Sequence, residues 1–135
     1  MTSELIDRRI AAARVGRLAT IGPDGAADLV PITFAYEGEV LYTAVDQKPK
    51  TTRNLRRLAN VRRDPRVTVL IDHYEDDWTR LWWCRLRGEA AVVGSGPVFD
   101  AGITLLRDKY AQYRGSPPDG PMIVVRVTDR RAWTA

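Results

Sequence analysis

The sequence holds one cysteine, one histidine and two phenylalanines in 135 residues. With Cys84 alone, no disulfide can form within the chain, and nothing points to an oxidising compartment. With His73 as its only possible His partner, neither a Cys/His zinc site nor a Cys–His nucleophile has strong support. No stretch approaches the roughly 20 apolar residues that cross a bilayer. Residues 1–16 lack the apolar run and cleavage site of a signal peptide. The expected location is therefore cytoplasmic, with no membrane partner. G-x-S-x-G, P-loop and G-x-G-x-x-G motifs are all absent, which removes the best-marked serine-hydrolase and nucleotide-binding classes. There is no repeat, low-complexity tract or linker.

What is present reads as one soluble globular domain spanning 1–135. The hydrophobic fraction is 44% and the charged fraction 28%, and the length suffices for a core without staples. A net charge of +4 biases the chain toward anionic partners. The patterning predicts helices over 3–13, where Ser3 can cap and Leu5, Ile6, Ile10 and Ala13 share a face, and over 53–63, where Leu55, Leu58, Ala59 and Arg62 keep helical spacing. A third helix opens at Pro97, with Phe99, Ile103, Leu106, Tyr110 and Tyr113 in period. Strands are predicted over 17–21, 28–36, 40–45, 66–72, 78–93 (broken near Arg87-Gly88) and 122–128, with 132–134 as a tail. The turns at Gly22-Pro23-Asp24-Gly25 and Glu37-Gly38-Glu39 make the first three strands a meander. Asp64-Pro65 stops the second helix. The expectation is mainly β with helices (α+β): a six-stranded antiparallel barrel, closed or nearly so.

The strongest local signal is Lys48-Pro49-Lys50-Thr51-Thr52-Arg53-Asn54, between a strand end and a helix start. The first turn of a helix offers unpaired N–H groups and partial positive charge, to which Lys48, Lys50 and Arg53 add cations. Such a place binds phosphate. A capped helix with a solvated basic face accounts for the same residues equally well. Arg56, Arg57, Arg62 and Arg63 extend the basic character and read best as a surface face. In Trp78 to Arg87, strand alternation puts Trp78, Arg80, Trp82 and Cys84 on one side, with Thr79, Leu81, Trp83 and Arg85 on the other. Trp beside Arg suits a subunit interface or stacking on a planar ligand. Asp72, His73, Glu75, Asp76 and Asp77 read as a solvated loop that pairs with arginines, not as a metal site. No acid–base apparatus stands out, which fits a protein whose bound cofactor does the chemistry.

The runs Gly16-Arg17-Leu18-Ala19-Thr20-Ile21, Asp24-Gly25 and Val30-Pro31-Ile32-Thr33-Phe34 resemble the start of the pyridoxamine 5′-phosphate oxidase-like split-barrel family. Lys50 to Leu55 and Asp64 to Asp72 resemble it again. Trp78-Thr79-Arg80-Leu81-Trp82-Trp83 is similar to an actinobacterial branch that depends on coenzyme F420. The resemblance covers nearly the whole chain. It implies a homodimeric split barrel with cofactor sites at the subunit interface. On that resemblance, Val30, Pro31, Ile32 and Thr33 line the ring system, while Thr43, Lys48, Lys50, Thr51, Arg53 and Asn54 surround the phosphate. Trp78, Arg80, Trp82 and Trp133 close the site. The resemblance implies an F420 (deazaflavin)-dependent oxidoreductase that passes a hydride between cofactor and a small unsaturated substrate, with no assigned catalytic acid or base. The substrate-binding residues of true pyridoxamine phosphate oxidases are not recognised, so it does not extend to that activity. Two readings stay open beside it: an FMN-dependent oxidase or reductase, and a non-enzymatic cofactor-binding or interaction module. Nucleic acid is not an expected partner, since only the arginine-rich helix speaks for it.

Overall fold

The structure, a computed structural model, describes residues 2–45 and 52–135; for residues 52–55 it describes the backbone alone. The chain runs α1 (Ser3–Ala12), β1 (Gly16–Ile21), β2 (Ala27–Ile32), β3 (Ala35–Glu37), β4 (Val40–Ala44), α2 (Thr52–Arg63), β5 (Arg66–His73), a 3₁₀ turn (Trp78–Arg80), β6 (Trp82–Val93), α3 (Pro97–Lys109), α4 (Ala111–Gly115) and β7 (Met122–Thr134). All seven strands join one sheet in the order β2-β1-β5-β6-β7-β4-β3. Every neighbouring pair is antiparallel.

That order forces the sheet to roll up. Its two edge strands, β2 and β3, are separated in the chain by Thr33 and Phe34 alone. In a flat sheet six inter-strand steps would hold them roughly 29 Å apart. The three chain steps from Ile32 to Ala35 reach only about 10 Å. The sheet therefore curls until its edges meet at Phe34, and its concave face becomes the core. Val67, Val69 and Ile71 of β5 face inward, as do Cys84 and Leu86 of β6. On the same strands Leu70, Trp83 and Arg85 face out, half-buried. Ile10 of α1 and Leu58 and Val61 of α2 complete this core. A second cluster forms where α3 packs on β3 and β4, around Leu106, Tyr110, Ala35 and Met122.

The structure corrects the sequence reading at several points. There are seven strands, not six. The expected strand over 28–36 is two strands, and the expected meander is two hairpins at opposite edges, because Phe34 turns its backbone to the Tyr110 hydroxyl instead of a neighbouring strand. The 122–128 strand continues to Thr134, since its whole length pairs with β6. Residues 78–80 form a 3₁₀ turn capped by Asp77, not strand. Thr2, not Ser3, caps α1. Ala59 and Arg62 of α2 are exposed while Asn60 is fully buried. The third helix stops at Lys109, where Tyr110 turns extended.

Two turns follow residue chemistry closely. Gly38 and Glu39, with φ of 58° and 64°, make the two-residue loop of the β3–β4 hairpin, as a type I′ turn requires. The left-handed Glu39 is held by its carbonyl, which accepts from Val127 N–H at 2.9 Å. At Gly88 a Cβ would lie 2.1 Å from the Arg126 carbonyl, and there the β6–β7 register shifts by a bulge.

The junction of the two edges is pinned by one phenol. Tyr110 accepts from Phe34 N–H at 3.1 Å, and its proton can go to the Arg14 carbonyl at 2.9 Å or the Phe34 carbonyl at 3.2 Å. Phe34 is fully buried, so its backbone has no water to fall back on. Tyr110→Phe should lower the unfolding free energy by about 1–3 kcal/mol, read from the urea midpoint at unchanged slope; a neutral result would mean that the junction is held by packing alone.

Candidate functional site

Among the described residues the outer edge of β2 pairs with no strand, and it is bracketed at both ends. Pro31, lacking an N–H, suits such an edge, and β2 pairs with β1 on its other side. At its C-terminal end the buried Thr43 donates from Oγ1 to the Thr33 carbonyl at 2.8 Å. The Thr33 hydroxyl meets that of Tyr113 at 2.7 Å. At the N-terminal end Asp28 accepts from Arg56 Nε and from Asn60 Nδ2, both at 2.7 Å. Asn60 also donates to Thr20 Oγ1 at 3.0 Å, and its carbonyl accepts from Arg63, which donates to the Ile21 carbonyl as well. Arg56 first, and then Asn60, hold the Asp28 carboxyl below the usual range. This network fixes α2 against β1 and β2. Thr43 of β4 and Arg56 and Asn60 of α2 thus stand at the two ends of the β2 edge.

The expected site residues divide accordingly. Val30, Pro31, Ile32 and Thr33 come together with Thr43: Val30 and Thr33 are half-buried, Pro31 is exposed, and Ile32 and Thr43 are buried. Lys48, Lys50 and Thr51 lie outside the described residues, as do the side chains of Arg53 and Asn54. The aromatic group is split. Trp82, half-buried, faces inward under Arg9, whose guanidinium sits 5.3 Å from its ring. Trp133, paired with Trp83 across the β6–β7 ladder, is 46% exposed on the outer face. Trp78 is 67% exposed on the 3₁₀ turn, and Arg80 pairs with Glu75 at 3.5 Å. Trp82 and Trp133 point to opposite faces of the sheet, yet both reach the lining of one cleft at its end.

The remaining chemistry is sparse. Burial pushes the Cys84 thiol up, away from thiolate character. His73 engages the Glu75 carboxylate through Nε2. Asp72 pairs with Arg17 at 2.8 Å, and Asp77 caps the 3₁₀ turn. Among the described residues no cluster of His, Cys, Asp and Glu could hold a metal. Sequence reasoning missed Asn60, Arg14 and Lys109. Asn60 sits in a helix of arginines, and nothing in its spacing signals burial. Lys109 places its amine 3.8 Å from the Phe34 ring centroid, buried and without a hydrogen-bond partner. Burial, and then the charge of Arg14, lower its pKa to about 8.

A family model described as pyridoxamine 5′-phosphate oxidase matches residues 2–134. Among solved structures, a conserved hypothetical protein of Mycobacterium tuberculosis, Rv2991, superposes with a TM-score of 0.80 at 22% identity, covering 99% of this chain and 85% of that one. A FAD-binding protein of Mesorhizobium loti superposes at 0.70 with 18% identity, covering 98% and 94%. A heme-binding protein of Mycobacterium smegmatis superposes at 0.75 with 24% identity, covering 98% and 55%. At these identities the structures share the fold. No curated protein matches the sequence.

The Lys109 amine supplies a pH test of the junction. Its folded pKa of about 8 lies below the ordinary 10.5, so between those values the unfolded chain binds more protons. Stability should therefore rise as pH climbs from about 8 to 10.5. Lys109→Met keeps the stem's packing without the charge, and its thermal midpoint should lack that rise relative to the parent; parallel curves would mean that the amine is solvated.

Proposed function

This chain belongs to the pyridoxamine 5′-phosphate oxidase family, and from that premise we propose that it is an oxidoreductase holding a flavin-type cofactor along the free edge of β2. The carrying observation is the bracketed edge itself. An edge strand leaves backbone N–H and C=O groups without strand partners, and these match the carbonyl and N–H groups of a flavin or deazaflavin ring. Both ends of the edge are fixed, at Thr33 by Thr43 and at Asp28 by Arg56 and Asn60, so the ring-lining segment Val30 to Thr33 is held rigidly. The basic segment with Lys48, Lys50, Thr51, Arg53 and Asn54 follows β4 in the sequence and carries the charge that a phosphate needs.

When bound, such a cofactor supplies hydride transfer. The chain's own part is to orient the ring and hold the phosphate, with a proton drawn from solvent. We take coenzyme F420 as the cofactor and FMN as the alternative; both are planar and anionic, and the acceptor is a small unsaturated molecule.

A homodimer belongs to the same proposal. The outer face of β5, β6 and β7 presents Leu70, Trp83, Arg85 and Trp133 around an open cleft of about 380 Å³. Arg85 lies over Trp83 at 5.6 Å, and its Nε is buried without an acceptor. An arginine donor left unpaired among tryptophans suits a subunit interface. Trp82 lines the same cleft, so a second copy seated there would meet three tryptophans.

Titration with F420 and, separately, FMN should show micromolar or tighter F420 binding by fluorescence. Lys50→Ala and Arg53→Ala should each weaken it about 10- to 100-fold, the loss of one charge-assisted hydrogen bond. A preference for FMN would move the protein to the flavin alternative. Binding of neither would leave a non-enzymatic interaction module. On the same face, Trp133→Glu should convert a dimer to monomer in light scattering, and a monomeric parent would refute the interface.

A further inference from the structure

A second concavity lies at the end of the sheet where α1 stops, β1 begins, β5 ends and β6 starts. It is a cleft of about 620 Å³, within the range of small-molecule sites. Its walls carry Arg9, Arg14 and Arg17 on one side and His73, Tyr74 and Trp82 on the other, the latter wall shared with the outer-face cleft beside Trp83 and Trp133. We propose that this cleft binds a planar conjugated ligand carrying a carboxylate or phosphate.

Three observations support the proposal. The first is unbalanced charge. Of the three arginines that line the cleft, Arg17 is paired with the lining carboxylate, Asp72, at 2.8 Å. Arg14 has no carboxylate partner among the described residues. It donates to the Lys109 carbonyl at 2.8 Å and lies 5.6 Å from the Tyr110 ring centroid. Both contacts fix the guanidinium without neutralising it. The second is that this fixed cation stands next to another. Among the described residues the Lys109 amine has no acceptor, and the charge of Arg14 adds to the burial that lowers its pKa. An anion seated on Arg14 would relieve that repulsion. The third is the aromatic lining. Arg9 already stacks at 5.3 Å from the Trp82 ring, while Tyr74 is 69% exposed at the mouth. A flat ring can take the open space between them, with its acid group on Arg14. Burying Tyr74 and Trp82 against a ring supplies affinity; the guanidinium supplies the choice of an anion.

The cleft adjoins the β2 edge through the sheet. Arg17 is the register partner of Pro31, and Gly16 that of Ile32. A ligand in this cleft, beside the start of β1, thus lies one strand away from the segment assigned to the cofactor ring. If that assignment holds, the ligand is the hydride acceptor, a conjugated acid whose anionic group is anchored by arginine; this role alone rests on the cofactor reading, and the binding does not.

The test needs no cofactor. The full chain is titrated by calorimetry with cinnamate, phenyl phosphate and the neutral cinnamamide. The expected result is binding of one or both anions, at least about tenfold tighter than the amide. Preference between the two anions identifies the acid group. Arg14→Gln should weaken anion binding about tenfold while leaving FMN or F420 titrations unchanged. Equal affinity for cinnamamide, no binding of any probe, or an unaltered anion affinity in folded Arg14→Gln would each overturn the proposal. The comparison of acid with amide uses the parent protein, so it stands even where a variant folds poorly. Failure here with intact cofactor binding would remove the acceptor site and leave the oxidoreductase reading; the converse would leave an anion-binding cleft without its redox partner.

Discussion

Two strands adjacent in the chain lie at opposite edges of a seven-stranded sheet, and almost everything else in this molecule follows from bringing those edges together. The link between them, Thr33 and Phe34, is too short for any sheet but a rolled one. At that link the backbone of Phe34 leaves the ladder and would be stranded in the core. The Tyr110 hydroxyl accepts its N–H, and α3 and α4 are packed where that phenol can reach. The closure also stacks charge where it is least comfortable, with the Lys109 amine against the Phe34 ring and Arg14 beside it. The arrangement persists because the aromatic faces offset part of the cost.

The same closure creates the candidate sites. An edge strand that ends in a pinned junction cannot slide, so Val30 to Thr33 present a fixed backbone edge. The Asn60 network does for the other end what Thr43 does for this one. Asn60 is wholly buried, and both its amide hydrogens and its carbonyl have partners, which makes it a connector and not a liability. The anion cleft is the outer consequence of the junction, since α1 must end beside β1 for the Arg14 carbonyl to meet Tyr110. Structure and chemistry are thus coupled through one corner of the barrel.

The outer face follows a different logic. Strand alternation along β5 and the first half of β6 puts Val67, Val69, Ile71, Cys84 and Leu86 inside, before the Gly88 bulge shifts the β6–β7 register. Outside lie Leu70, Trp83, Arg85 and Trp133. A sheet face carrying two tryptophans and a half-buried arginine is poorly matched to water. In the proposed homodimer this face is the one that a second copy would cover.

Much of this was legible in the sequence. Local rules acting over a few residues sufficed for α1, for the β1–β2 hairpin at Gly22 to Gly25, for the end of α2 at Asp64-Pro65 and for the irregularity at Arg87-Gly88. The family resemblance rested on runs of the same kind, and the antiparallel α+β barrel followed from counting strands. What the sequence could not determine is non-local. The division of 28–36 into β2 and β3 depends on Tyr110, 76 residues away from Phe34. The burial of Asn60 depends on Thr20 and Asp28, and the separation of Trp82 from Trp133 onto opposite faces depends on a 3₁₀ turn and a pairing with β7. The cleft of Arg9, Arg14 and Arg17 draws its other wall from β5 and β6. Propensity and periodicity act on neighbours in the chain, whereas hydrogen-bond satisfaction and uncompensated charge are settled only when distant segments share one small volume. Only the tertiary structure decided those.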